Sequence, residues 1–213
     1  MRIAVSQRVE RIAERNEQRD ALDQRLVRWL EQVGVLAYPV PNSLGDAVAV
    51  TAWLTALGVD GIVLSGGEDL RVSPERDDTE RALLRHARSE LLPVLGLCRG
   101  MQMLAEFSGG TLTRLPGHVD IQHALDIAEG CALPPTVRSY HAWGLIDCPV
   151  GYEVLARAAD RSIEAIRHPG LRWEGWMWHP EREPVFGLTE LARARALFGG
   201  AVTRDCDRRT ERK

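Results

Sequence analysis

Three short segments of this sequence carry residue types suited to nucleophilic chemistry on a carbonyl. The first is Gly96-Leu97-Cys98-Arg99-Gly100-Met101-Gln102. The apolar run Pro93-Val94-Leu95 before it reads as a buried strand, and the pattern from Met101 to about Phe107 reads as a helix. Strand, sharp turn with a nucleophile, then helix is a nucleophile elbow, here with cysteine in the serine position. Gly96 and Gly100 fit a turn in which backbone approaches backbone too closely for side chains. A cysteine at a helix start also meets free N–H groups and the positive end of the helix dipole, a setting that suits thiolate chemistry. Alone, Cys98 would read as a small core residue ending a strand. The flanking glycines and the following helix turn the reading toward a nucleophile.

A nucleophilic thiol needs a base, and the base needs a group that orients it. His179-Pro180-Glu181 offers both. Pro180 holds its predecessor extended. Residues two apart in an extended chain share a side, so Glu181 is expected to bond one ring nitrogen of His179 and leave the other to face the thiol. On its own, His-x-Glu reads first as a surface pair in a proline turn. The third segment is Ser65-Gly66-Gly67, at the end of the apolar run Gly61-Ile62-Val63-Leu64. It is either a plain tight turn or a presenter of bare N–H groups to a bound oxygen.

The other histidines carry less. His141 lies in Arg138-Ser139-Tyr140-His141, either a substrate loop or a strand end. His118 and His123 flank an irregular, turn-rich stretch and do not match a metal site, so no metal and no cofactor is expected. His86 shares a helix with Arg81, Arg85 and Arg88 and reads as solvated; His168, before Pro169-Gly170, marks a turn.

The elements that must position these residues follow from periodicity and punctuation. Arg2 to Ser6 reads as a strand, then a polar loop runs to about Gln18. Arg19 to Val33 reads as a helix stopped by Gly34, and Val35 to Val40 as a strand. Ala47 to Leu57 is a helix ended by Gly58. Ser73-Pro74-Glu75 starts another, with serine as cap, that runs to about Leu91. Val137 to Ala142, Tyr152 to Ala159, Ser162 to Arg167 and Leu171 to Trp178 are strand candidates, and Leu188 to Phe198 is a closing helix. The alternation implies an α/β fold with a mainly parallel sheet and helices on both faces. Ligands in such sheets bind beyond the carboxyl ends of the strands, where Gly66 and Cys98 both fall.

The 213 residues suit one domain over 1–202, followed by a charged tail at 203–213. A formal net charge of -3 argues against non-specific nucleic-acid or membrane binding, and leaves a small anionic ligand open. Cys98, Cys131, Cys148 and Cys206 form no C-x-x-C pair and read as thiols of a reducing compartment, the cytoplasm. No secretory leader or membrane span is expected: the apolar run from Met1 to Val5 is short, and charges follow at once.

In order, Ser65-Gly66-Gly67, the Cys98 elbow and Trp178-His179-Pro180-Glu181 resemble the class I glutamine amidotransferase superfamily. Gly109-Gly110-Thr111-Leu112, Arg76-Asp77 with Glu80, and Ser139-Tyr140-His141 are similar to its γ-glutamyl hydrolase branch. Ser6-Gln7-Arg8, Arg19-Asp20-Ala21-Leu22 and Pro41-Asn42 look like a smaller group that includes hydrolases of γ-glutamyl-CDP-amidate. The resemblance implies a flavodoxin-like sheet and a catalytic triad of Cys98, His179 and Glu181. It implies an oxyanion hole from the N–H groups of Gly67 and Arg99, with Gln102, Ser139 and Tyr140 holding the glutamyl end. Arg138 stands where many members of the branch carry Asn, and suits an anionic leaving group instead. Arg71 reads as a surface residue. The implied activity is hydrolysis of a small γ-glutamyl amide. The alternative is a glutaminase passing ammonia to a separate synthetase subunit. The leaving group, built by loops such as 42–45, 68–74 and 115–135, and the oligomeric state stay open.

Overall fold

The computed structural model describes residues 1–199; the expected boundary at 202 and tail at 203–213 lie outside the described residues. The first half is built from β1 (Arg2–Val5), β2 (Arg8–Ile12), β3 (Glu17–Ala21), α1 (Gln24–Val33), β4 (Leu36–Pro39) and α2 (Ala47–Leu57). It continues with β5 (Gly61–Leu64), α3 (Pro74–Ser89), β6 (Val94–Leu97) and α4 (Arg99–Phe107). The second half adds β7 (Thr113–Arg114), β8 (Val119–Ala124), β9 (Asp126–Ile127), β10 (Thr136–Tyr140) and β11 (Trp143–Gly144). It ends with β12 (Glu153–Arg157), β13 (Ile163–His168), β14 (Trp173–Trp176) and α5 (Leu188–Gly199).

The main sheet has the order β4-β1-β5-β6-β14-β13-β12-β9. Neighbours from β4 to β14 pair parallel, and β13, β12 and β9 extend the sheet antiparallel. Alternate residues of each strand feed opposite cores. Ala4, Ile62, Leu64 and Val94 face α2, α3 and α4, whose Leu54, Leu83 and Leu104 lie in the same cluster. Ile3, Val5, Val63 and Leu95 face α1 and α5 through Trp29, Leu30 and Phe198. Helices therefore cover both faces, as the alternation predicted. Among the described residues no helix is long and apolar enough to cross a membrane. Cys98, Cys131 and Cys148 carry no disulfide; Cys206 lies outside the described residues.

Two local expectations are corrected. The polar loop to Gln18 and the helix start at Arg19 are instead the antiparallel hairpin β2–β3, turned by Asn16 at φ 49°. Helix α1 begins only at Gln24, where the Asp23 carboxylate accepts from Arg25 N–H at 2.8 Å. The hairpin residues are mostly exposed, so no apolar alternation betrays the strands. The stretch between His118 and His123 is strand β8, paired antiparallel with β10 in a ribbon of its own. Ser73 precedes α3 as expected but its side chain makes no capping bond.

The two elbow glycines are required by contact. A Cβ on Gly96 would lie 2.6 Å from the Gly100 carbonyl, and one on Gly100 would lie 2.2 Å from the Leu64 carbonyl oxygen. Backbone cannot swing aside as a side chain can. Gly100→Ala is therefore expected to destabilise the fold by ~3 kcal/mol or more, at the high end for overpacking. The denaturant midpoint would report this; an unchanged midpoint would contradict the close packing of α4 on β5.

Candidate active site

Strand β6 lies between β5 and β14, so its carboxyl end opens onto those of its neighbours. Cys98 follows at φ 50° and ψ -104°, a conformation that costs a non-glycine residue about 1–3 kcal/mol. It is held by its own backbone: its N–H donates to Trp176 O at 2.7 Å, and its carbonyl accepts from Gln102 N–H at 3.1 Å. Arg99 is the first residue of α4, so its N–H belongs to the open end of the helix.

His179 follows β14 and lies near enough to Cys98 for the sulfur to act on its ring. Its Nδ1 lies 2.6 Å from Glu181 Oε1. The pair meets by a different route from the one expected. Pro180 to Arg182 form a 3-10 turn that His179 enters at φ -113° and ψ 87°, so the two side chains do not meet as alternate residues of an extended chain. Both side chains are buried. Burial opposes a charge on His179, but the Cys98 sulfur and then Glu181 outweigh it, and its pKa is pushed up to about 9. Gly66 supports the ring from below: a Cβ there would stand 2.3 Å from His179 Cε1.

The Ser65-Gly66-Gly67 turn and the elbow are braced by one buried ionic network. Arg76 donates to Ser65 O at 2.7 Å and Gly66 O at 3.1 Å, and pairs with Glu68 at 2.8 Å and Glu80 at 3.0 Å. Arg99 pairs with Glu80 and, at 2.5 Å, with Asp77. Ser6 Oγ donates to Glu80 Oε1 at 2.7 Å. Gly67 has no room for a side chain because Arg76 Nη1 would be 2.2 Å from its Cβ. The i, i+4 spacing of Arg76 and Glu80 was a visible signal. The joining of Ser6, Glu68 and Arg99 to that pair was not, because it spans three strand ends.

The remaining expected residues divide. Tyr140 stands edge-on to His179 with ring centroids 6.1 Å apart, and the Arg182 guanidinium lies 5.0 Å over the tyrosine ring. Sequence reasoning missed Arg182. Gln102 is buried and donates to Trp143 O at 2.8 Å, tying α4 to β11. The Ser139 side chain is fully buried and points away from Tyr140, to His123 Nε2 at 2.6 Å. Arg138 is exposed and pairs with Asp120 at 2.8 Å. Arg71 is exposed and pairs with Glu106 at 3.5 Å, as a surface residue should. A cavity of about 60 Å³ lies beside His179, Glu181, Gly66 and Gly67, closed by Arg8 and Leu26.

The model of the Peptidase C26 family matches residues 3–181, a span that holds the elbow, the glycine turn and the His179–Glu181 pair. A subunit of the glutamine-hydrolyzing GMP synthase of Thermococcus kodakarensis is 29% identical over 74% of this chain and 82% of its own length. Gamma-glutamyl-CDP-amidate hydrolase of Campylobacter jejuni is 29% identical over 59% of this chain and 64% of its own. Gamma-glutamyl-gamma-aminobutyrate hydrolase of Escherichia coli O157:H7 is 28% identical over 85% of each. A crystal structure described as a GMP synthase subunit from Thermoplasma acidophilum superposes with a TM-score of 0.71 at 21% identity, covering 94% of each chain, which is a likeness of fold. Family and relatives together support a γ-glutamyl amide hydrolase. With most of its length matched, the chain belongs to the Peptidase C26 family, within the class I glutamine amidotransferase-like proteins.

Proposed function

We propose that this protein hydrolyses the γ-glutamyl amide bond of a small conjugate through a triad of Cys98, His179 and Glu181. The observation that carries the reading is the buried His179–Glu181 pair at 2.6 Å beside a strained elbow cysteine whose sulfur raises the His179 pKa. The Cys98 thiolate attacks the γ-carbonyl carbon, forming a C–S bond as the carbonyl π electrons move onto oxygen. The N–H groups of Gly67 and Arg99 receive that oxyanion, at ~3 kcal/mol per donor. The C–N bond then breaks as His179 gives its proton to the leaving nitrogen, and a thioester remains. His179 next takes a proton from water, which attacks the thioester and releases glutamate and the thiolate. Glu181 fixes the ring and stabilises its charged form. Tyr140, beside His179, lines the place where the glutamyl group would lie.

The leaving group is the finer part of the proposal. Arg138 and Tyr140 both approach Asp120, Arg138 through an ion pair at 2.8 Å, which sets Arg138 beside the tyrosine that stands against His179. The arginine's planar fork suits a phosphate, and the Campylobacter relative is named for a nucleotide amidate. The rival reading, a glutaminase working with a separate synthetase subunit, is favoured by the Thermococcus relative. Glutamate release from glutamine, γ-glutamyl amines, γ-glutamyl peptides and a γ-glutamyl nucleotide amidate separates them. Strong release from one substituted amide, with glutamine poor, is expected; weak release from glutamine alone would favour the glutaminase. Arg138→Ala is expected to slow release from the nucleotide amidate ~10-fold and spare an uncharged amide, since only the charged leaving group loses a charge-assisted bond. Equal effects on both would remove the phosphate contact.

The raised pKa of His179 sets a pH dependence. The proton it donates is present below about 9 and lost as pH rises through it, so kcat/KM should fall on the alkaline side near pH 9. Glu181→Gln removes one of the charges that hold that proton. It should lower the rate ~10²-fold or more and move the alkaline limb to lower pH, with the fold intact. A limb that stays in place would take Glu181 out of the triad.

A further inference from the structure

A second cluster of titratable side chains lies on the other side of the β8–β10 ribbon, and the hydrolysis gives it no role. Glu164 of β13 is fully buried. His118 Nδ1 and His141 Nε2 each stand 3.5 Å from its Oε1, and His123 Nε2 stands 3.8 Å from the same oxygen. Strong hydrogen bonds close at about 2.7–3.2 Å, so these are not such bonds. Both Glu164 oxygens, His118 Nδ1 and His141 Nε2 are buried without a hydrogen-bond partner among the described residues. Orphaned polar atoms at that density call for a physical cause.

The outer edges of the rings show which nitrogens are free to ligate. His118 Nε2 lies 2.8 Å from Asp160 Oδ2, and that aspartate is held through its other oxygen by Ser162 N–H at 3.0 Å and Ser162 Oγ at 2.6 Å. His141 Nδ1 lies 3.0 Å from Trp143 O. A ring nitrogen facing a carboxylate or carbonyl carries the proton, so the inner nitrogen of the neutral ring presents a lone pair. The lone pairs of His118 and His141 both face Glu164 Oε1, and His123 Nε2, which also meets Ser139 Oγ at 2.6 Å, stands 3.8 Å from the same oxygen. Ligands about 2.0–2.2 Å from a tetrahedral zinc stand about 3.3–3.6 Å from one another; His118 Nδ1 stands 3.5 Å and His123 Nε2 3.8 Å from Glu164 Oε1. One ligand atom each from His118, His123 and Glu164 lies within 4.8 Å of the others. The bond from His118 to Asp160 is the outer support that metal-bound histidines ordinarily make.

We propose that His118, His123 and Glu164 bind a divalent transition-metal ion of the zinc class. Imidazole with one carboxylate suits zinc and disfavours magnesium and calcium, which take oxygen sets. Three protein ligands leave the fourth position to water. They come from just before β8, from the end of β8 and from β13, so the ion pins the ribbon to the main sheet. That ribbon carries Tyr140 toward His179 and leads to the Trp143 carbonyl that holds Gln102. The competing occupant is a proton. Glu164 first, then Asp160, push the His118 pKa up to about 9 against burial. One proton on His118 closes one edge of the cluster and leaves His141 and the second Glu164 oxygen unsatisfied.

The test uses the full chain, stripped with a chelator, equilibrated with Zn²⁺, passed through a desalting column and assayed for metal per chain. About one zinc per chain is expected, with a melting temperature ~5 °C above the stripped protein. X-ray absorption at the zinc edge should show nitrogen and oxygen at about 2.0–2.1 Å and no sulfur at about 2.3 Å, which separates this site from binding at Cys98. His123→Ala and Glu164→Gln should each reduce zinc by ~10-fold or more, while Cys98→Ala retains it. His123 is the less buried position, so its variant keeps the test valid where Glu164→Gln fails to fold. Wild-type protein holding less than ~0.1 zinc per chain, or a sulfur shell at the edge, would overturn the proposal in favour of a proton-shared cluster.

Discussion

Replacement of Cys98 by alanine is expected to lower γ-glutamyl hydrolysis by at least ~10⁴-fold while leaving the fold in place. Loss of a nucleophile removes the covalent route altogether, and residual rates come only from binding and the oxyanion donors. The fold should survive for two reasons. Cys98 is held through its main chain, by Trp176 O and Gln102 N–H. Alanine also bears the left-handed φ of 50° no worse than cysteine does, since both carry a Cβ. The accompanying measurement is a glutamyl adduct on the Cys98 peptide, trapped by acid quench from the wild type during turnover and absent from the variant. Retained turnover in Cys98→Ala, or an adduct on another residue, would end the triad proposal and turn attention to a water-based mechanism.

Local sequence sufficed wherever a function depends on one strand–turn–helix unit. The elbow was legible because Gly96, Cys98 and Gly100 act within five residues, and the backbone contacts that demand those glycines are local or one strand away. Parallel strands β5 and β6 are buried on both faces and read as short apolar runs, while β14 is equally buried but carries Glu174 among its tryptophans. Hairpin β2–β3 and ribbon strand β8 were not legible, because the hairpin is mostly polar, β8 exposes Val119 and Ile121 beside polar residues, and their pairing partners, not their own pattern, make them strands. The same reason hid the cluster around Glu164. His118 and His123 bracket β8 and His141 follows β10, and only the ribbon register brings them beside a glutamate in β13. Ser139 shows the reverse error. Its neighbour Tyr140 faces His179, and strand alternation then sends Ser139 to the far side, where His123 meets it.

Glu80→Ala is the substitution away from the cysteine with the largest expected cost. The buried network holds two cations, Arg76 and Arg99, against three carboxylates, Glu68, Asp77 and Glu80. Removing Glu80 brings that set to formal balance, so charge counting alone would forecast a gain. Some relief is real: the Asp77 carboxyl is raised chiefly by burial, with the Glu80 charge adding to it. Geometry outweighs it. Glu80 accepts from Ser6 Oγ, Arg76 Nε and Arg99 Nη1, and all three donors are buried. Orphaning buried donors costs about 1–3 kcal/mol each, and breaking a buried pair about 3–5 kcal/mol in all, more than a single like-charge contact returns. A loss of about 4 kcal/mol should lower the melting temperature by ~10 °C. Glu80→Gln keeps the shape and one acceptor oxygen and should fall between the two. The function should follow the stability, because Arg76 holds the Ser65 and Gly66 carbonyls and so aims the Gly67 N–H. At a temperature where Glu80→Ala is fully folded, kcat is expected to drop ~10-fold with KM little changed, the mark of a donor misaligned for the transition state. A variant within about 1 kcal/mol of the wild type, or one whose loss is all in KM, would show that the glycine turn keeps its shape without the network.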